Sequence, residues 1–150
     1  MPFEPQFPSE YAHLFHGSFN VRITDPDGTD SRYILSLEDQ WKVSITLRLG
    51  GIFGRFINLR WRVRGYVESV GDSPEGIIID DTFQINGGGE TVKEYVLSPN
   101  APFKNSTGSI QEGIYKLVVA VTALDSNNQP APFGGYDGVP FLQFYAGPSL

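Results

Sequence analysis

The sequence predicts an all-β protein, an antiparallel β-sandwich of about seven to nine strands. Residues 59–68 alternate apolar and polar side chains for ten positions, the period of a strand with one buried and one wet face. Comparable segments recur along the chain, separated by turn chemistry. No segment sustains the 3.6-residue apolar period of a helix, and only residues 9–16 and 31–40 could hold a helical turn or two.

In chain order, residues 19–24 alternate and stop at Asp25-Pro26-Asp27-Gly28. There Pro fixes φ, Gly supplies a positive φ and Asp bonds its own backbone. Residues 41–49 set Trp41, Val43, Ile45, Leu47 and Leu49 against Lys42, Ser44, Thr46 and Arg48. Gly50, Gly51 and Gly54 break that pattern before a long strand over about 56–70. Shorter strands are predicted at 77–79, 82–85 and 91–97, the last two joined by Gly87-Gly88-Gly89. Residues 113–124 are almost wholly apolar from Leu117 to Val121, which fits a strand covered on both faces or in mid-sheet. A Pro/Gly-rich loop over 130–138 leads to a closing strand at 139–145. This divides the chain into an N-terminal arm, 1–18, and a sandwich, 19–150.

At 150 residues one core suffices. The absence of cysteine excludes a disulfide scaffold, a Cys-ligated zinc site and thiol catalysis, and leaves localisation open. The start, with Glu4 and prolines at 2, 5 and 8, does not read as a signal peptide, and no apolar run approaches a membrane span. Opening on Met1 and closing just after a strand, the chain reads as a complete small protein. The net charge of −6 is unevenly spread: residues 1–40 carry −5, residues 41–67 carry +6 and residues 68–150 carry −7. An acidic whole argues against a general nucleic-acid or anionic-membrane partner.

Three features together resemble the immunoglobulin-like fold in its broad sense. Trp61 lies 14 residues after Leu47, 16 after Ile45 and 56 before Leu117, near the spacing by which such domains set a core tryptophan between two facing strands. Gly113-Ile114-Tyr115-Lys116-Leu117 resembles the tyrosine corner, whose hydroxyl bonds back to the preceding loop. By that resemblance Leu117 and either Ile45 or Leu47 take the positions of the antibody disulfide. The missing cysteines move the likeness toward fibronectin type III-like and bacterial Ig-like modules. It covers roughly residues 41–124, and it implies binding, adhesion or assembly without fixing a function.

Arg60, Arg62 and Arg64 project from one face of one strand, with Tyr66 continuing the row. Like charges about 6.5–7 Å apart need a counter-charge. A neighbouring strand could bring Glu94, Glu112 or Glu68 across the sheet. Otherwise the ladder is a binding face for an anionic partner, and the chain itself offers Asp72, Glu75, Asp80 and Asp81; if that acidic edge does not fold back onto the ladder, it could meet the ladder of another copy head to tail. Asp25, Asp27 and Asp30 alternate as oxygen ligands of a calcium loop would, although Ser36 stands where an EF-hand needs a bidentate Glu. Asp80 and Asp81 could add carboxylates there. His13 and His16, the only histidines, lack a third ligand for a metal, and no nucleophile elbow or phosphate loop accompanies them. Phe3, Phe7, Tyr11 and Phe15 could anchor the arm on another subunit.

The expectation is therefore a non-enzymatic protein-binding or self-assembling structural module with no required cofactor. The alternative is a calcium-assisted carbohydrate- or ligand-binding module using Asp25, Asp27, Asp30 and Tyr136.

Overall fold

The computed structural model describes residues 16–26, 33–52, 56 and 58–147. Among them run eight strands: β1 (His16–Thr24), β2 (Ile34–Ser36), β3 (Trp41–Gly50), β4 (Asn58–Ser69), β5 (Gly76–Asn86), β6 (Gly89–Leu97), β7 (Gly113–Leu124) and β8 (Pro130–Tyr145). A three-stranded sheet has the order β1-β3-β6 and a five-stranded sheet the order β2-β8-β7-β4-β5. Every pairing is antiparallel except β2 with β8. The all-β sandwich expected from the alternating segments is the fold observed.

The period-two pattern decides which side chains fill the space between the sheets. From β3, Val43, Ile45, Leu47 and Leu49 point inward; from β4, Trp61, Val63 and Val67; from β7, Tyr115, Leu117, Val119 and Val121. Ile45 and Leu47 thus belong to the opposite sheet from Trp61 and Leu117, and all four are buried in one cluster. Burying a side chain of this size stabilises by about 1.5–3 kcal/mol relative to leaving it in water. Trp41 of the small sheet meets Phe144 of the large one edge-on at 5.5 Å, and Phe144 in turn meets Tyr115 at 5.7 Å. Tyr115 is fully buried, and its hydroxyl donates to Pro74 O (2.9 Å) and accepts from Gln111 N (3.2 Å). The tyrosine-corner bond back to the preceding loop is therefore present.

Several boundaries differ from the sequence expectation. The segments at 77–79 and 82–85 are one strand, because the intervening Asp80 and Asp81 each find a partner on opposite faces. Residues 130–138 are strand, not loop. A Cβ on Gly138 would lie 2.1 Å from Leu117 O, and one on Gly134 would lie 2.6 Å from Val121 O, so these glycines let β8 approach β7 closely. Pro140 falls where the β7–β8 register shifts, so no ladder donor is missed there. Residues 31–40 contain no described helix but the short β2. β1 opens at His16, inside the segment assigned to the arm; the rest of the arm, with His13 and the candidate helix over 9–15, lies outside the described residues.

Candidate interaction face

The alternation that buries Trp61 turns Arg60, Arg62, Arg64, Tyr66 and Glu68 outward on the five-stranded sheet. The register gives each a neighbour on either side. Arg62 lies between Thr82 of β5 and Thr122 of β7, Arg64 between Asp80 and Ala120, and Tyr66 between Ile77 and Val118. Beyond β7, Gly134, Tyr136 and Gly138 of β8 continue these three rows. The four strands therefore present one continuous outer face.

The ladder's counter-charge is Asp80. Arg62 forks onto it through Nε (3.1 Å) and an Nη (3.0 Å), and Arg64 Nε stands 3.8 Å away. Of the acids weighed from sequence, Asp80 folds back onto the ladder, and the three expected from a neighbouring strand do not fill this role. Glu94 is on the other sheet beside Lys42 (3.3 Å), Glu68 pairs in register with Lys116, and Glu112 accepts from Ser73 through its backbone. Sequence alone leaves open whether Asp80 folds back or meets another copy, because its placement depends on a register that shifts at Gly65/Tyr66. Its hydrogen bonds from Arg62, aided by the Arg62 and Arg64 charges, hold its carboxyl below the ordinary range, and the same bond raises Arg62. Among the described residues Arg60 donates to the neutral Asn128 amide, so two guanidinium groups share one carboxylate and the third has no acid beside it. The Arg62–Asp80 pair is partly exposed and contributes under about 1 kcal/mol.

Asp81, next in sequence, points the other way and accepts from Tyr95 OH of β6 at 2.7 Å. Burial, then this bond and charge, push the Tyr95 hydroxyl well above the usual tyrosine range. Beside it the Lys93 ammonium lies 4.7 Å from the Phe83 ring centroid. The opposite flank has a similar closure, where Asp137 of β8 accepts from Val21 N of β1 at 3.3 Å. Because Asp80 and Asp81 face opposite sides of the sheet, they cannot serve one binding site together. Asp25 is described after β1, whereas Asp27 and Asp30 lie outside the described residues. Among the described residues no three His, Cys, Asp or Glu cluster as a metal site.

Apolar groups complete the outer face. Ile34 of β2 and Ile114 of β7 both pair with Gln143 of β8, and Val70 N bonds Ile114 O at the end of β4. Ile34, Val70, Ile114, Tyr136 and Phe141 are all exposed, from 37% to 68%. Tyr136 borders a shallow cavity of about 200 Å³ floored by Val118, Gly138 and Pro140. Tyr66 OH donates to Glu75 at 3.1 Å; burial, that bond and the Glu75 and Glu68 charges raise its pKa. Sequence reasoning found the ladder, Tyr66 and the aromatic Tyr136 and Phe141 but did not join them to Ile34, Val70 and Ile114, which come from β2, the end of β4 and β7.

No protein-family model matches the chain, and no curated protein matches it. Among solved structures, a β-glucosidase from Listeria innocua in complex with isofagomine is similar at 14% identity and a TM-score of 0.53, over 89% of this chain and 17% of the enzyme. A β-glucosidase from Erythrobacter marinus is similar at 14% identity and a TM-score of 0.50, over 86% of this chain and 16% of the enzyme. The CARDB domain of the PF1109 protein from Pyrococcus furiosus, in complex with di-metal ions, is 15% identical over 86% of this chain and 89% of that one, with a TM-score of 0.45. The chain thus spans about one sixth of the length of these glucosidases. At such identities the likeness is one of fold.

Proposed function

We propose that this chain is an Ig-like, non-enzymatic module that docks a protein partner, or another copy of itself, through the outer face of its five-stranded sheet. The observation that carries the reading is the state of β7. Its run from Leu117 to Val121 is apolar on both faces, as in a strand covered twice. Only the inner side chains are buried, while Val118 is half-buried and Ala120 exposed. Around them stand Tyr66, Tyr136, Ile114 and Phe141, flanked by arginines. Exposed apolar surface rimmed by aromatic and Arg side chains is the composition of a docking surface. The strongest polar groups nearby are engaged in structural pairs, Asp80 with Arg62 and Asp81 with Tyr95. This favours binding over chemistry.

The test compares two double variants of equal chemistry, with melting temperature as a control for folding. Ile114→Lys/Phe141→Lys should abolish association seen by light scattering or on the immobilised chain. Val92→Lys/Val96→Lys, on the outer face of the small sheet, should leave it intact. Loss of association only in the second variant would reject the reading.

A second reading, calcium-assisted carbohydrate binding, draws on Tyr136, whose ring is 62% exposed beside the shallow cavity and offers a stacking surface for a sugar. Asp25, Asp27 and Asp30 would hold the ion. A rise in melting temperature with calcium would favour it.

A further inference from the structure

We propose that the outer face of the five-stranded sheet is self-complementary and pairs two copies of the chain about a two-fold axis passing beside Tyr66. This rests on the interaction-face reading above and adds the partner: a second copy, antiparallel along β4. The argument begins with the order of charges. Reading outward residues along β4, Arg60, Arg62 and Arg64 precede Tyr66, and Glu68 follows it. The turn beyond carries Asp72 and Glu75, and Glu75 reaches back onto the face to accept from Tyr66 OH. Basic and acidic ends therefore lie on one strand of one face, on either side of an exposed tyrosine.

A two-fold axis in the plane of contact, perpendicular to β4 and level with Tyr66, brings residues equidistant from Tyr66 opposite one another. Arg64 of one copy then meets Glu68 of the other, and Arg60 meets the turn bearing Asp72. Both contacts occur twice. Tyr66 and Val118 of each copy meet at the axis, where neither charge faces its like. Turning the second copy so that the strands run parallel would place Arg on Arg. The surplus of cations supports the same arrangement, since Asp80 is consumed by Arg62, with Arg64 only at its margin.

Size agrees. Five strands about 4.8 Å apart and the 12 residues of β4 at about 3.3 Å each frame roughly 900 Å², close to the ~800 Å² per partner of a stable interface. The contact uses the same patch on both copies and so closes as a dimer. The head-to-tail chain built on Asp80 and Asp81 lacks its acids, because one is paired within its own copy and the other faces the opposite side.

The experiment is sedimentation equilibrium of the full chain and of Arg64→Glu, Glu68→Arg and the double exchange R64E/E68R. Wild type should show the mass of two chains. Each single variant should raise the dissociation constant at least about tenfold, since two like-charge contacts form per dimer. The double exchange should return it to within about threefold, and an equimolar mixture of the two single variants should recover the dimer. A monomeric wild type, or a dimer indifferent to all the exchanges, overturns the proposal. If Ile114→Lys/Phe141→Lys abolishes association while the charge exchanges leave it unchanged, the pairing geometry fails and the interaction face stands. If neither set alters association, both fall.

Discussion

The outer faces of the two sheets are built from the same alternating strands and differ in how their charges are settled. On the three-stranded sheet two cations of β3 each have their own acid from β6: Lys42 Nζ lies 3.3 Å from Glu94, and Arg48 Nε lies 3.0 Å from Glu90. Lys42 is 5% exposed, its stem laid along the surface with its ammonium paired. On the five-stranded sheet Arg62 and Arg64 share Asp80 while Arg60 donates to the Asn128 amide, and the neighbouring strands offer Thr, Ala, Val and exposed aromatic side chains. On the first face the ion pairs are one to one, and among the described residues its exposed apolar side chains are Val92 and Val96. The other has a cationic surplus beside exposed aromatic side chains, and that surplus is the basis of the proposed docking face.

The contrast can be tested within β4 itself, whose inner row should govern stability and outer row association. Trp61→Ala empties a fully buried site and should cost about 3–5 kcal/mol in urea unfolding. If the loss is below 1 kcal/mol, Trp61 is not a core anchor. Next in size is Tyr115→Phe, which removes the hydroxyl that ties Pro74 and Gln111 and should cost about 1–2 kcal/mol, since two partly buried hydrogen bonds are lost at once. On the settled face, Lys42→Ala should cost about 1–2 kcal/mol and Arg48→Ala less than about 0.5 kcal/mol, because only the first side chain is buried. Equal losses would remove the distinction between these two pairs.

The smallest expected effect is on pH dependence. Asp80 has a depressed folded-state pKa, so its contribution is fully present above the unfolded value, near 4, and is lost as pH falls through the folded value. Asp80→Asn should flatten the stability profile in that acidic window and lower it by a small, pH-independent amount above about pH 6. An unaltered profile would mean that the Arg62–Asp80 fork is not held in solution.

Much of this could be read from residues alone because a half-buried strand writes its orientation in its sequence. Trp61 inward and Arg62 outward follow from parity, and the Tyr115 hydroxyl bond is implied by the resemblance of residues 113–117 to a tyrosine corner. Cross-strand partners are a different matter. Pairing Arg64 with Asp80 needs the register of β4 on β5, which shifts at Gly65/Tyr66, and no local pattern specifies it. The strand character of residues 130–138 was hidden for a related reason: Gly134 and Gly138 serve close approach to β7, a tertiary demand that looks like loop composition locally. The apolar half of the face was hidden because Ile34, Ile114 and Phe141 meet only once β2, β7 and β8 are assembled.

The most direct test of the central claim is hydroxyl-radical footprinting of the full chain over a hundredfold range of protein concentration, reading both outer faces in one sample. The account predicts that Tyr66, Tyr136 and Phe141 become protected as concentration rises while Val92 and Val96 keep constant reactivity. Reactivity of the three aromatic residues that does not change with concentration, or protection that falls on Val92 and Val96 instead, would contradict it.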